Sequence, residues 1–279
     1  MPDCKYKLIA LDLDGTLLDS NKNLSERNYR ALERAAEAGV EVVPTTGRLV
    51  DAMPKVIHEL PFVRYVISVN GAQVVDLQTG ETLYRAEIPY RRVLEVMERL
   101  DSLPVIYDCY LDGRGWMTQS MYDRAEEFAP DEHILDLIRR IRTPVPELKA
   151  FVREKAQPVQ KMQMFFHSKE ERIAAAPELI RELSDLTLTS SYENNIEINH
   201  PDACKGAALD FLCTYLGFSS AQAMSFGDGS NDISMLKEAG MGVAMANADD
   251  EVKQASDYIT DSCDDDGVAA AIEKLILNI

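Results

Sequence analysis

KLIALDLDGTLL, residues 7–18, is the stretch that decides the fold. It opens as an apolar run with little alternation, the pattern of a parallel strand buried on both faces. It then carries two carboxylates, Asp12 and Asp14, one residue apart, and reaches Gly15 and Thr16. In open parallel sheets, ligands bind beyond the C-terminal ends of the strands. Two acids at that end of a core strand therefore read as part of a site. Alternation along an extended chain predicts that both point to the same side.

Outward from this stretch, strand and helix take turns. Ser25 is a suitable N-cap for a helix through Tyr29, Leu32, Ala35 and Ala36, which Gly39 ends. VEVV (40–43) is the next strand, a helix follows through Met53, Val56, Ile57 and Leu60, and RYVISV (64–69) is the third strand of the expected parallel series. Asn70-Gly71 then signals a hairpin. From TLYRAEI (82–88) to about Ser190, strands, helices and frequent prolines mix as in a separate α+β domain. IEI (196–198) is expected to resume the parallel pattern, followed by a helix at about 205–216, the strand AMSF (223–226), and then GVAM and DYIT. The simplest topology is one α/β domain with a second domain inserted in it.

The bulk properties narrow the partners. A net charge of −18 over 279 residues argues against nucleic acid or an anionic membrane surface. No apolar run approaches the roughly 20 residues needed to span a bilayer. The first apolar stretch is broken by Asp12 and Asp14, so it does not read as a signal peptide. The cysteines, Cys4, Cys109, Cys204, Cys213 and Cys263, are scattered, with no CxxC, as in a protein of a reducing compartment. A cytoplasmic protein is expected. His58, His133, His167 and His200 share no metal-ligand spacing.

Four loops fall at the ends of core strands or just before a core helix. They are Asp12-x-Asp14-Gly-Thr, Thr45-Thr46-Gly47-Arg48, Lys205-Gly206, and Gly227-Asp228-Gly229-Ser230-Asn231-Asp232. Each alone has an ordinary structural explanation as a capped turn or helix start. Together they specify chemistry. Converging carboxylates repel unless a cation lies among them, and an all-oxygen donor set suits Mg²⁺. Lys, Thr and a helix N-terminus suit a phosphate group. A carboxylate approaching a phosphate meets about 4 kcal/mol of repulsion per charge pair at ~4 Å and an effective dielectric of ~20. A divalent cation and a Lys can reverse that sign.

In the order DLDGT, TGR, KG and GDxxND, the chain resembles the haloacid dehalogenase superfamily, and more narrowly its Cof-like phosphatases with a type IIB cap. The resemblance spans essentially the whole chain. It implies a Rossmann-like parallel-sheet core formed by residues 1–83 and 191–279, with an α+β cap inserted at 84–190. It implies that Asp12 is the nucleophile, forming an aspartyl-phosphate, and that Asp14 is the general acid and then the base. Mg²⁺ would be held by Asp12, Asp228 and the backbone carbonyl of Asp14, with Asp232 supporting the loop. Thr46, Gly47, Arg48, Lys205 and Asn231 match phosphate-side positions, and Asn70 and Gly71 match an NGA stretch at the substrate entrance. Asn70 equally suits a hairpin role.

Two positions depart from the pattern. Ala246 replaces the Gly of AMGNA, where Asn247 is a further candidate contact, and Cys204 replaces the Ser before the Lys. In the cap, Arg114 and Trp116 are candidates for facing a ligand. The run Asp264-Asp265-Asp266 reads as solvated charge at a helix start.

The implied activity is a Mg²⁺-dependent phosphatase acting on a small phosphorylated metabolite, with sugar phosphates the leading class. A phosphomutase of the phosphomannomutase type is the alternative enzyme. A non-catalytic phosphometabolite-binding protein is the alternative outside catalysis, opposed by the intact set Asp12, Asp14, Lys205 and Asp228.

Overall fold

The computed structural model describes residues 5–277, so Cys4 lies outside the described residues, as does the side chain of His133. The chain divides into two compact units. One comprises the residues up to Arg85 together with those from Asp202 onward; the other is Ala86–Pro201.

In the first unit, Leu8–Leu11 is a strand whose four residues are wholly buried. It pairs in parallel with Glu41–Pro44 on one side and Ala223–Gly227 on the other. Met241–Ala244 and Tyr258–Ile259 extend the sheet in parallel beyond Ala223–Gly227. Alternate residues feed two layers, as two-faced burial requires. Ile9 and Leu11 pack with Ala31, Leu32 and Ala35 of helix Glu26–Glu37 and with the helix Gly267–Ile272. Leu8 and Ala10 pack with Ala208, Leu209 and Leu212 of helix Lys205–Tyr215. Ser25 caps the first of these helices as expected, its hydroxyl accepting from the backbone N–H of Asn28 at 3.0 Å.

Tyr65–Ser68 is not a full member of the parallel sheet. It forms an antiparallel three-stranded sheet with Gln73–Asp76 and Glu81–Arg85. Just past the strand Glu41–Pro44, Thr45 forms an isolated parallel bridge with Ile67. The helix expected from Met53 to Leu60 is reduced to one turn, Lys55–His58, after Pro54.

The second unit has a six-stranded sheet. In spatial order its strands are Thr187–Thr189, Asn195–Asn199, Lys161–Phe165, Ile106–Leu111, Arg114–Thr118 and Arg142–Val145. The segment IEI therefore lies here, antiparallel to Lys161–Phe165, and not in the parallel series. Five residues of period-2 pattern fit either kind of strand, and neighbouring strands decided the matter. Arg142–Val145 is a strand despite Pro144 because it occupies a sheet edge, where proline is tolerated.

One face of this sheet is apolar. Met162, Met164, Tyr107 and Cys109 pack with residues of helices Tyr90–Leu100, Leu148–Lys155 and Lys169–Glu182. The other face buries charge in pairs: Arg142 Nε lies 2.9 Å from Asp108 Oδ2, and Lys161 Nζ lies 2.9 Å from Glu197 Oε1. Trp116 belongs to the apolar face. Its ring is 4.4 Å from that of Phe151, and its Nε1 donates to the Leu111 carbonyl at 3.0 Å. It is thus a packing anchor, while Arg114 is exposed at the hairpin.

Candidate active site

The parallel ladder delivers the site. Asp12 N–H donates to Phe226 O at 3.0 Å and Thr45 N–H to Leu11 O at 2.8 Å. Asp12, Thr46 and the Gly227-Asp228 loop therefore leave adjacent strands side by side. The strand ends at Leu11, however, so pleating does not orient Asp14. A turn does, closed by Leu17 N–H to Asp12 O at 3.2 Å and Leu18 N–H to Leu13 O at 2.9 Å. Gly15, at φ +86°, is required there, because a Cβ would stand 2.4 Å from Asp228 Oδ2.

Lys205 is completely buried at the start of its helix, and its ammonium bridges two acids. Nζ lies 2.6 Å from Asp12 Oδ1 and 2.5 Å from Asp232 Oδ1. Asp232 is wholly buried as well, and its other oxygen accepts from the backbone N–H groups of Asp228 at 3.0 Å and Gly229 at 2.9 Å. Gly227 makes room for it, since a Cβ there would come within 2.3 Å of the Asp232 Cβ. Asp232 thus aims the lysine and shapes the loop that carries Asp228. Cys204 caps the same helix through a long Sγ contact, 3.5 Å from Ala207 N. That is the capping role a serine would fill.

Carboxylates from Asp12, Asp228 and Asp232 offer oxygens within 4.8 Å of one another. Burial pushes the Asp12 pKa up to about 7, with Asp232 and Asp228 adding to the effect and Lys205 opposing it. Burial likewise pushes Asp228 up to about 6, against the hydrogen bond that Thr16 donates to its Oδ1 at 2.7 Å. Three acids facing one ammonium leave surplus negative charge in a place that resists it. Asp12 Oδ2 and Asp228 Oδ2 carry no hydrogen bond among the described residues. This donor set, oxygen throughout with unsatisfied charge, fits a hard divalent cation. Both oxygens of Asp232 are already engaged, so it suits support better than ligation.

Asp14 has a different environment. Arg48 grips it with two bonds of 2.8 Å, and Lys22 adds a third contact at 3.0 Å. Burial alone would raise its pKa, but the hydrogen bonds and charge of Arg48 and then Lys22 outweigh it, and the net shift is downward. Sequence reasoning missed Lys22. It sits at φ +66° in a turn that Asp19 organises by accepting from the N–H groups of Asn21 at 2.9 Å and Asn23 at 2.7 Å. A lysine in a polar turn gives no periodic signal. Thr16, in the turn after Asp14, also fixes Asp228.

Thr46 is buried, and its Oγ1 accepts from Arg48 N–H at 3.2 Å. Gly47 admits Asn70, whose Oδ1 would be 2.7 Å from a Cβ at position 47. Gly71 packs on the backbone at Cys204, where a Cβ would be 2.2 Å from the carbonyl oxygen. Asn231 Nδ2 donates to Asn70 Oδ1 at 3.1 Å. Asn247 donates to Gly15 O at 2.8 Å and accepts from Cys263 N–H at 2.9 Å, so it braces the turn after Asp14. His58 contacts the Val50 carbonyl at 3.0 Å, and within the second unit the ring of His167 stacks on that of Phe128 at 3.9 Å.

Residues 9–272 match the family model of haloacid dehalogenase-like hydrolases. The chain belongs to that family. It is 31% identical to the 5-amino-6-(5-phospho-D-ribitylamino)uracil phosphatase YcsE of Bacillus subtilis, over 99% of this chain and 98% of the relative. The structure of a haloacid dehalogenase-like hydrolase from B. subtilis superposes with a TM-score of 0.82 at 30% identity, covering 97% of this chain and all of that one. The subclass IIB sugar phosphatase BT4131 superposes with a TM-score of 0.77 at 25% identity, covering 96% and 98%. Among the described residues, no helix of this hydrolase is long and apolar enough to cross a membrane.

Proposed function

We propose that this chain is a Mg²⁺-dependent phosphatase that hydrolyses small phosphorylated metabolites, sugar or sugar-alcohol phosphates foremost. The observation that carries the reading is the contact of 2.6 Å between Lys205 and Asp12, with Asp228 alongside. It is a nucleophile paired with the cation that would also meet the phosphate. The substrate class is supported by the phosphoribityl group in the name of YcsE and by the sugar phosphatase BT4131.

Asp12 attacks phosphorus, an aspartyl-phosphate forms and the ester P–O bond breaks. The leaving oxygen takes the proton of Asp14. Water then attacks phosphorus, gives its proton to Asp14, and Asp12 is released as carboxylate. Thr46 and Lys205 hold phosphoryl oxygens, and Asn231 lies beside them. Asp14 must be protonated for the first step, whereas Arg48 and Lys22 favour its ionised form. An incoming phosphate competes for both cations, and each bond they surrender raises the Asp14 pKa. A hard cation held by Asp12, Asp228 and the Asp14 backbone carbonyl would neutralise phosphoryl oxygens and let a carboxylate approach.

The free thiols Cys109, Cys204, Cys213 and Cys263 support placement in the cytoplasm. The test is a screen of phosphorylated metabolites for phosphate release with Mg²⁺ and with chelator. Release from sugar phosphates that chelator abolishes is expected. No release from any phosphomonoester, or full activity in excess chelator, contradicts the reading.

A further inference from the structure

Val69, Asn70 and Gly71 lie in succession in the left-handed region, at φ 51°, 56° and 93°. Glycine adopts this freely and asparagine tolerates it, but a β-branched valine does not. Such strain persists where the surroundings over-determine it. Here they do. Val69 N–H donates to Arg48 O and Asn70 N–H to Thr46 O, both at 3.0 Å. Asn70 Oδ1 accepts from Asn231 at 3.1 Å, and Gly71 lies against the Cys204–Lys205 peptide. One turn therefore ties together the loops that carry Thr46, Lys205 and Asn231-Asp232.

We propose that Asn70 is a positioning residue. Its backbone fixes the Thr46–Arg48 loop and its carboxamide ties that loop to the Gly227–Asp232 loop, so it sets the spacing of the groups that hold the phosphoryl oxygens without touching the leaving group. The proposal rests on the phosphatase reading for its kinetic arm only.

Asn70→Gly keeps the left-handed backbone and removes the carboxamide. Its kcat/KM should fall by the same factor on an aryl phosphate and on a hexose phosphate, roughly three- to tenfold, the worth of one hydrogen bond. Inhibition by orthovanadate should weaken to match. Asn231→Ser removes the same bond from the other side, and it carries the leaving-group comparison if Asn70→Gly does not fold. The double variant should be no worse than the worse single variant, in kcat/KM and in the Tm of the substrate-free protein. A loss that depends on the leaving group, or losses that multiply in the double variant, would overturn the proposal. The Tm cycle needs no substrate, so it tests the brace even if the wild type hydrolyses no phosphomonoester, a result that would defeat the phosphatase reading by itself.

Discussion

Arg48 holds Asp14 in a fork, with Nε and Nη2 each 2.8 Å from a different carboxylate oxygen. The pair sets the ionisation of the residue proposed to donate a proton. Arg48→Met removes both bonds and leaves burial opposed by Lys22 alone, so the Asp14 pKa moves upward. The pH profile of kcat/KM should shift upward on the limb that reports Asp14. An unchanged profile would mean that the fork does not govern this group.

The role of Asp14 itself is tested through the leaving group. Asp14→Asn should slow hydrolysis of alkyl phosphates, which need a proton on the departing oxygen, far more than hydrolysis of activated aryl phosphates. The measurement is kcat for both substrates. Equal losses would contradict the acid role.

Lys205 is a charge the fold cannot leave unpaired. Lys205→Met strands Asp12 and Asp232 together in a buried site, and losing one partner of a buried pair costs about 3–5 kcal/mol. Denaturant unfolding should show that loss. Adding Asp232→Asn removes one of the stranded charges and should recover part of it. A Lys205→Met protein as stable as wild type would contradict the buried-pair description.

The loops at the strand ends were legible in the sequence because their chemistry is local. An acid, a threonine or a lysine beside a strand end keeps its meaning wherever the rest of the chain goes. What was not legible depends on distant neighbours. The strand Asn195–Asn199 joins the second unit because Lys161–Phe165 and Thr187–Thr189 flank it, which no local pattern records. Lys22 reaches Asp14 only because Asp19 folds the intervening turn. Asn70 could be read as a hairpin residue or a ligand contact, and its bond to Asn231 spans 161 positions.

Divalent cation and pH should act together on stability. Folding raises Asp12 to about 7 and Asp228 to about 6, above the ordinary carboxylate value. Between that value and about pH 7 the folded state binds more protons than the unfolded state, so their contribution lowers stability as pH rises. A hard cation held by the ionised pair would offset this cost. The gain in Tm on adding Mg²⁺ should therefore grow from about pH 4 to about pH 7, and a gain that is flat or shrinks would argue against the Asp12–Asp228 cation site.

The proposed covalent role of Asp12 is the centre of the account. Asp14→Asn leaves Asp12 able to attack an activated aryl phosphate while removing the base for the second step, so the intermediate should accumulate. Acid quenching during turnover, followed by mass spectrometry of the peptide that contains residues 7–18, reads it directly. The account predicts one phosphoryl group on Asp12, absent when Asp12→Asn is added. Steady phosphate release with no phosphoryl group on that peptide, or with turnover retained in Asp12→Asn, would contradict it.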